Sequence, residues 1–177
     1  AGNIGVAQSF DTIIEAVKIV SRSIKDINII ILGDGRDKPR VQKKINNMGL
    51  AQYFTFLGTY PPEDMSYFFA SADALLVTLK KSYIFSLTIP GKLQSYLACG
   101  KPIIASVDGI VSDIINKGNC GIASKSEDYN GLANSIIKFN KMSSEQRGAL
   151  GKNSKIYFDR EFDKERLLDK LTEIMNT

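Results

Sequence analysis

The segment from Thr88 to Ser106 carries the residues best suited to bind an anionic ligand. Its pattern predicts a loop, a helix with Pro90 in its first turn and Gly100 after its end, and then a short apolar strand. The first turn of a helix presents N–H groups and partial positive charge, which favour a phosphate or another anion. Lys92 lies in that turn, where a cation opposes the helix dipole. It is either a ligand-binding residue or a solvated lysine on an ordinary packed helix.

The elements that would position this segment alternate between strand and helix patterns, which predicts parallel strands joined by crossover helices. The continuous apolar run 27–32 is typical of a strand buried on both faces, and 80–89 is predicted to be an irregular loop. Residues 1–177 contain no repeat or linker and are interpreted as one doubly wound, Rossmann-like α/β domain. The predicted strands span 27–32, 53–57, 74–79, 102–106 and 121–123.

In an open α/β sheet, a ligand binds beyond the carboxyl ends of the strands. Four loops are candidates for that position. They are 2–5, 33–35, 58–60 and 88–92, and the glycines in them allow a ligand close to the backbone. None forms a G-x-G-x-x-G fingerprint, which disfavours a dinucleotide dehydrogenase. For the first two loops, simple tight turns are an equally acceptable interpretation.

The chain contains no histidine, which removes the commonest general base, the Ser-His and Cys-His nucleophile systems and most zinc sites. A self-contained hydrolase of those classes is excluded. The net charge of +4 suits phosphorylated ligands or an anionic membrane surface, but its scattered lysines are not a nucleic-acid signature. Cys99 and Cys120 lack metal-type spacing and are interpreted as small apolar residues in a reduced environment.

No apolar run is long enough to span a bilayer, and no signal-peptide pattern is present. The expected location is therefore cytoplasmic, and the mild basicity is compatible with peripheral association of the full-length protein with the inner face of the membrane.

These motifs together resemble the retaining glycosyltransferases of family 4, in the branch that reads P-x-K-hydrophobic-x-x-Y-hydrophobic-A-x-G-K/R-P. The resemblance is carried by four segments in the family's order: AGNIGVAQSFDTIIEA, IILGDG, YFTFLGTYPPEDMSYFFASADALLV and TIPGKLQSYLACGKPIIAS. It implies that the chain is the C-terminal, nucleotide-sugar-binding half of a two-domain GT-B enzyme. The N-terminal acceptor domain would then lie outside this chain.

The resemblance also assigns binding roles to individual positions. In the family that the chain resembles, an arginine and a lysine usually bind the donor diphosphate, and the matching positions here are Asn3 and Gln8. Two glutamates of the family hold the sugar and the ribose, and the matching positions here lie near Leu87 and at Ser95. Lys92 is the preferred substitute cation, followed by Arg36. The amides of 88–91 would face sugar and phosphates, and 59–60 would lie beside the nucleobase. The predicted donor-binding residues are Gly2, Asn3, Gly5, Gly33, Gly35, Arg36, Thr59, Tyr60, Thr88, Ile89, Gly91, Lys92 and Ser95.

The implied activity is transfer of a sugar, with retention of configuration, from a UDP- or GDP-sugar to a glycan or a lipid-linked acceptor. Synthesis of a bacterial capsule, O-antigen or exopolysaccharide is the implied setting. No metal or other cofactor and no catalytic residue are expected in this half, which alone should bind nucleotide weakly and not turn over. The alternatives are a nucleotide-sugar 2-epimerase of GT-B fold and a non-enzymatic Rossmann-like scaffold, which the missing charged residues would favour.

Overall fold

A computed structural model describes residues 1–176 as strands that alternate with helices along most of the chain. The strands are β1 (Ile29–Leu32), β2 (Phe54–Gly58), β3 (Leu75–Thr78), β4 (Ile103–Ser106) and β5 (Gly121–Ser124). The helices are α1 (Phe10–Val20), α2 (Lys38–Asn47), α3 (Met65–Ser71), α4 (Tyr83–Ser86), α5 (Gly91–Ala98), α6 (Ile110–Lys117), α7 (Tyr129–Asn140), α8 (Ser144–Glu161) and α9 (Lys164–Met175). Short 3-10 turns occur at Val6–Gln8, Ala51–Tyr53 and Pro62–Asp64.

Every strand pair in the described chain is parallel, as the sequence predicts. β1 pairs with β2, while β3, β4 and β5 form a second sheet in that order. Ile103 of β4 lies opposite Leu75 on one side and Gly121 on the other. The predicted α/β class with flanking helices is confirmed, although the strands form two sheets rather than one continuous sheet.

Apolar side chains fill two cores that flank these sheets. The first core joins α1, α2 and α7 to β1 and includes Ile14, Val17 and Leu132, which are fully buried. The second joins α5 and α6 to β3 and β4, and Leu93 and Ile103 lie within it. Burial of these large side chains supplies the main favourable term in folding.

Several predicted elements need correction. Ile30 is 49% exposed, so β1 is not buried on both faces as its apolar run predicted. Pro90 is the N-cap of α5 rather than a residue of its first turn, because its ψ of 138° is extended. The predicted irregular loop 80–89 contains the one-turn helix α4.

The helical tail follows local signals that the sequence carries. Ser143 and Gln146 form a reciprocal capping box at the start of α8, as the spacing predicts. The last helix begins at Lys164, because the Asp163 carboxylate accepts the amide of Arg166 and so caps the helix there.

Neither a membrane-spanning helix nor a cluster of metal-ligating side chains occurs in the part of the chain that the structure describes. No helix within residues 1–176 is long and apolar enough to cross a bilayer. The same residues contain no group of three or more cysteine, aspartate or glutamate side chains that could hold a metal ion.

Two glycine substitutions test the packing. Gly121→Ala should destabilise the chain by about 2 kcal/mol, since the new Cβ would collide with the backbone of Ile103. Gly148→Ala in α8 meets open space and should stabilise it by about 0.5–1 kcal/mol. Urea denaturation followed by circular dichroism measures both, and equal effects of the two substitutions would contradict this assignment of β5.

Candidate functional site

Three of the predicted loops meet at the carboxyl ends of β1 and β2. The amide of Gly2 donates to Leu32 O at 2.9 Å, and the amide of Gly33 donates to Gly58 O at 2.6 Å. The amide of Ile4 also donates to Asp34 O at 2.8 Å. These backbone hydrogen bonds place the segment 2–5 directly on the loop that follows β1.

Glycine is required in the loop after β1 because another backbone passes against it. Gly33 has a φ of 123°, and a Cβ there would collide with Gly2 O. A Cβ on Gly35 would collide with Ile4 O. These two glycines therefore allow the segment 2–5 to pass directly against the loop after β1. The sequence alone does not distinguish this role from close contact with a ligand.

Lys92 extends from the first turn of α5 toward the segment 2–5. Its Nζ lies 3.9 Å from the position that a Cβ on Gly2 would occupy. No side chain caps the N-terminus of α5. The Leu93 amide donates to Pro90 O at 2.9 Å, so the amides of Gly91 and Lys92 are the ones suited to bind an anion. Partial burial lowers the pKa of the Lys92 ammonium below its ordinary value, because charge is less well solvated there.

The remaining predicted residues around α5 divide into two groups. Ser95 is exposed and lies one turn after Lys92, on the same helix face. Thr88, in contrast, donates its amide to Phe85 O at 3.3 Å and its hydroxyl to Ile84 O at 2.7 Å. In this structure the Thr88 amide therefore ends the turn of α4, and its predicted role toward a ligand stays a prediction. Ile89 packs against the second core.

Asn3 and Gln8, the positions at which the resemblance expects two cations, lie close to each other. A Cβ on Gly5 would be 2.9 Å from Asn3 Nδ2 and 3.3 Å from Gln8 Oε1. The Oε1 atom of Gln8 is buried and has no hydrogen-bond partner within residues 1–176. A polar but uncharged pair thus lies on the segment before α1.

The loop after β1 carries both positively and negatively charged side chains. Arg36 is exposed and makes no salt bridge within the described residues. The Asp34 carboxylate, which sequence reasoning missed, accepts the amide of Gly35 at 2.7 Å and pairs with Lys38 at 3.2 Å. The hydrogen bond from Gly35 and the nearby Lys38 lower the pKa of Asp34. The position of Asp34 just after a predicted strand was the sequence feature that could have identified it.

The predicted base and sugar positions are open to solvent. Tyr60 is 41% exposed and packs edge-on against Phe68, with ring centroids 4.5 Å apart, while Thr59 is exposed. Leu87, which occupies the position of the expected sugar-binding glutamate, is 63% exposed. An apolar residue at that position offers no hydrogen bond to a sugar hydroxyl.

Replacement of Lys92 by methionine should stabilise the ligand-free chain at neutral pH. The folded chain binds this proton more weakly than the unfolded chain, so the protonated lysine opposes folding below its folded-state pKa. That opposition fades as pH rises through this pKa. Urea denaturation of Lys92→Met and of the exposed control Lys117→Met, at pH 7 and pH 10, measures the difference. A gain that is equal in both variants, or that grows with pH, would refute the assignment.

Comparison with known proteins gives one family and one fold. The family described as "Glycosyl transferases group 1" matches residues 1–157. A curated relative, the uncharacterized glycosyltransferase MJ1178 of Methanocaldococcus jannaschii, is 24% identical over 156 residues, covering 88% of this chain and 41% of its own. The chain spans less than half the length of the curated relatives it matches.

Two solved structures share the fold at low sequence identity. Anabaena HepE, in complex with UDP, has a TM-score of 0.83 and 18% identity, covering 99% of this chain and 48% of its own. The C-terminal domain of the group 1 glycosyl transferase LpcC from Francisella tularensis has a TM-score of 0.76 and 18% identity. That match covers 93% of this chain and 84% of the LpcC domain.

Proposed function

The chain belongs to the glycosyl transferases group 1 family, and from that premise we propose that it is the nucleotide-sugar-binding half of a GT-B glycosyltransferase. The full-length enzyme would carry its acceptor site in a second, N-terminal domain. Transfer of the sugar with retention of configuration, as in family 4, is part of the proposal.

The observation that carries this proposal is the position of Lys92. Its ammonium lies beside Gly2, at the uncapped N-terminus of α5 and at the edge where ligands of open α/β sheets bind. Ammonium and backbone N–H groups are the donors that a diphosphate prefers. Asn3 and Gln8, on the segment before α1, are neutral, so Lys92 of α5 is the cation in this proposal.

The chemistry follows from what leaves the donor. When the bond between sugar and diphosphate breaks, negative charge develops on the diphosphate, and a preorganised cation with nearby amides stabilises that charge. We assign this role to Lys92 and the first amides of α5, with Arg36 as a second cation that reaches the ligand from the loop after β1. Ser95, on the same face as Lys92, would donate to or accept from a ribose hydroxyl.

The base and the rest of the donor are proposed to lie over the adjacent loops. Thr59 and Tyr60 would flank the nucleobase, and the Tyr60 ring is already held edge-on by Phe68. UDP is the first nucleotide to test, since HepE is described in complex with UDP, and GDP is the second. The acceptor is proposed to be a glycan or a lipid-linked sugar of a bacterial surface polysaccharide, handled at the cytoplasmic membrane face.

Calorimetric titration with UDP, GDP and NAD tests the donor site. We expect saturable binding of UDP or GDP, weakened about 10–100-fold in Lys92→Ala, because one charge-assisted hydrogen bond contributes about 1.5–3 kcal/mol. Lys117→Ala, at the opposite end of the sheet, should bind as the parent does. Equal affinity in Lys92→Ala would refute the role of Lys92, and binding of NAD alone would favour a different Rossmann-like module.

The pH dependence of binding provides a separate test. The Lys92 ammonium binds the diphosphate only when protonated, and its pKa is lowered by burial. Affinity should therefore fall as the solution becomes alkaline, beginning at a lower pH than an ordinary lysine would give. Lys92→Arg, which stays charged throughout, should remove this decline. A decline of the same size in Lys92→Arg would assign it to another group.

A further inference from the structure

The one-turn helix α4, together with the residue that follows it, presents an apolar surface to solvent. Tyr83, Ile84 and Leu87 are 80%, 70% and 63% exposed. Their spacing of three and four residues places the three side chains on one side of the turn. We call this surface the α4 face. Large apolar side chains grouped in this way mark a surface that a ligand or a partner covers.

The α4 face is held in a fixed position by the other side of the turn. A Cβ on Gly109 would collide with Ser86 O, so the backbone of the loop after β4 passes directly against α4. Phe85 and Ile89 pack against the second core. The exposed side chains therefore project from a turn that the rest of the domain supports.

The turn adjoins the candidate functional site at both of its ends. Before the turn, Lys80 donates its amide to Ala7 O at 2.9 Å, which ties the end of β3 to the segment 2–8. After the turn, Lys92 follows Leu87 by only five residues, in the first turn of α5. The α4 face thus lies between the two segments that carry the proposed donor-binding residues.

The order of groups in a nucleotide sugar places its sugar on this side of the site. The base is proposed to lie at 59–60, after β2 of the first sheet, and the diphosphate at Gly91 and Lys92. The sugar is attached to the diphosphate at the end opposite the nucleoside. It therefore extends away from β2, toward the turn that follows β3 of the second sheet.

The hydrogen-bond donors of this turn are mostly engaged within it. Ser86 and Thr88 donate their hydroxyls to carbonyl groups of the same turn, each at 2.7 Å. Of residues 86–90, Pro90 has no N–H, and Ile89 alone keeps an amide that no backbone carbonyl among the described residues accepts. The turn therefore has little to offer to the hydroxyl groups of a sugar.

Carboxylates, which accept strong hydrogen bonds from hydroxyl groups, are also missing from this part of the chain. No aspartate or glutamate occurs between Asp73 and Asp108. The Asp108 carboxylate accepts the amide of Ser126 at 3.2 Å, and the Glu127 carboxylate accepts the amide of Lys81 at 3.3 Å. A sugar hydroxyl against the α4 face would lose water without gaining an equivalent partner, whereas a methyl group gains from burial.

We propose that the donor site selects a sugar that turns a methyl group, rather than a hydroxyl group, toward the α4 face. Two kinds of sugar supply such a methyl group, a 6-deoxyhexose through C6 and an N-acetylhexosamine through its acetyl group. Ile84 and Leu87 contact this methyl group. The inference rests on the proposed function, because it names the class of sugar that the bound nucleoside diphosphate carries.

Calorimetric titration of the 177-residue chain with matched nucleotide sugars tests the inference. UDP-6-deoxyglucose and UDP-N-acetylglucosamine are each compared with UDP-glucose, and UDP alone serves as the reference. If GDP is the nucleotide that binds, GDP-6-deoxymannose is compared with GDP-mannose. A methyl-bearing sugar should bind about 10-fold more tightly than its hydroxylated counterpart, within the limit of about 100-fold that an apolar pocket reaches against an added hydroxyl. The UDP sugar that gains affinity identifies the source of the methyl group.

Leu87→Gln supplies the second arm of the test. The amide hydrogen-bonds to a hydroxyl, so this variant should lose most of the preference for the methyl-bearing sugar, expressed as the ratio of the two affinities. Because Leu87 is exposed, its replacement leaves both cores intact. Ile156→Gln is the matched control, since Ile156 is 61% exposed and lies on α8. It should keep the full preference.

The outcomes separate this inference from the proposed donor site. Equal or tighter binding of the hydroxylated sugars, a preference that Leu87→Gln retains, or an equal loss in Ile156→Gln would each overturn the inference. In all three cases the donor site itself would stand, because nucleotide binding would have been measured. Absence of binding by UDP, GDP and all of their sugars would refute the donor site and the inference together.

Discussion

The backbone hydrogen bonds of residues 2–8 are the constraint on which the rest of the structure depends. The Gly2 amide binds the end of β1 at Leu32 O, while Gln8 O accepts the hydroxyl of Thr78 at 2.6 Å at the end of β3. One short segment thus ties together two sheets that share no strand pairing within residues 1–176. The same segment carries Asn3 and lies against Lys92, so the candidate site is built on the connection between the sheets.

The binding role proposed for Lys92 would oppose the stability of the ligand-free chain. A half-buried ammonium at a helix N-terminus is unfavourable on two counts, desolvation and the helix dipole, and neither is offset by a carboxylate within hydrogen-bond distance in the described residues. The proposed diphosphate would reverse both effects at once, because its negative charge favours the protonated ammonium and the positive end of the helix dipole. Arg40 shows the contrast, because its guanidinium bonds to Asp37 at 2.6 Å and to Asp11 at 3.0 Å in a surface network that has its partners already.

Local signals in the sequence predicted the elements that local chemistry decides. The helix α5, its buried face of Leu93 and Tyr96, and the left-handed Gly100 after it were all readable, since spacing, capping and a positive φ are properties of neighbouring residues. The donor-site roles stay predictions. The helix α4 was predicted as irregular loop because a single turn leaves too short a pattern to recognise.

The sequence by itself determined the α/β class, the order of the elements and the choice of Lys92 as the cation of interest. Only the tertiary structure decided that β1 and β3 line the same cavity, because strand neighbours far apart in the chain are set by packing rather than by periodicity. It also decided that Gly33 and Gly35 serve the close approach of another backbone. A glycine has no side chain, so its sequence position cannot tell which atoms pass beside it.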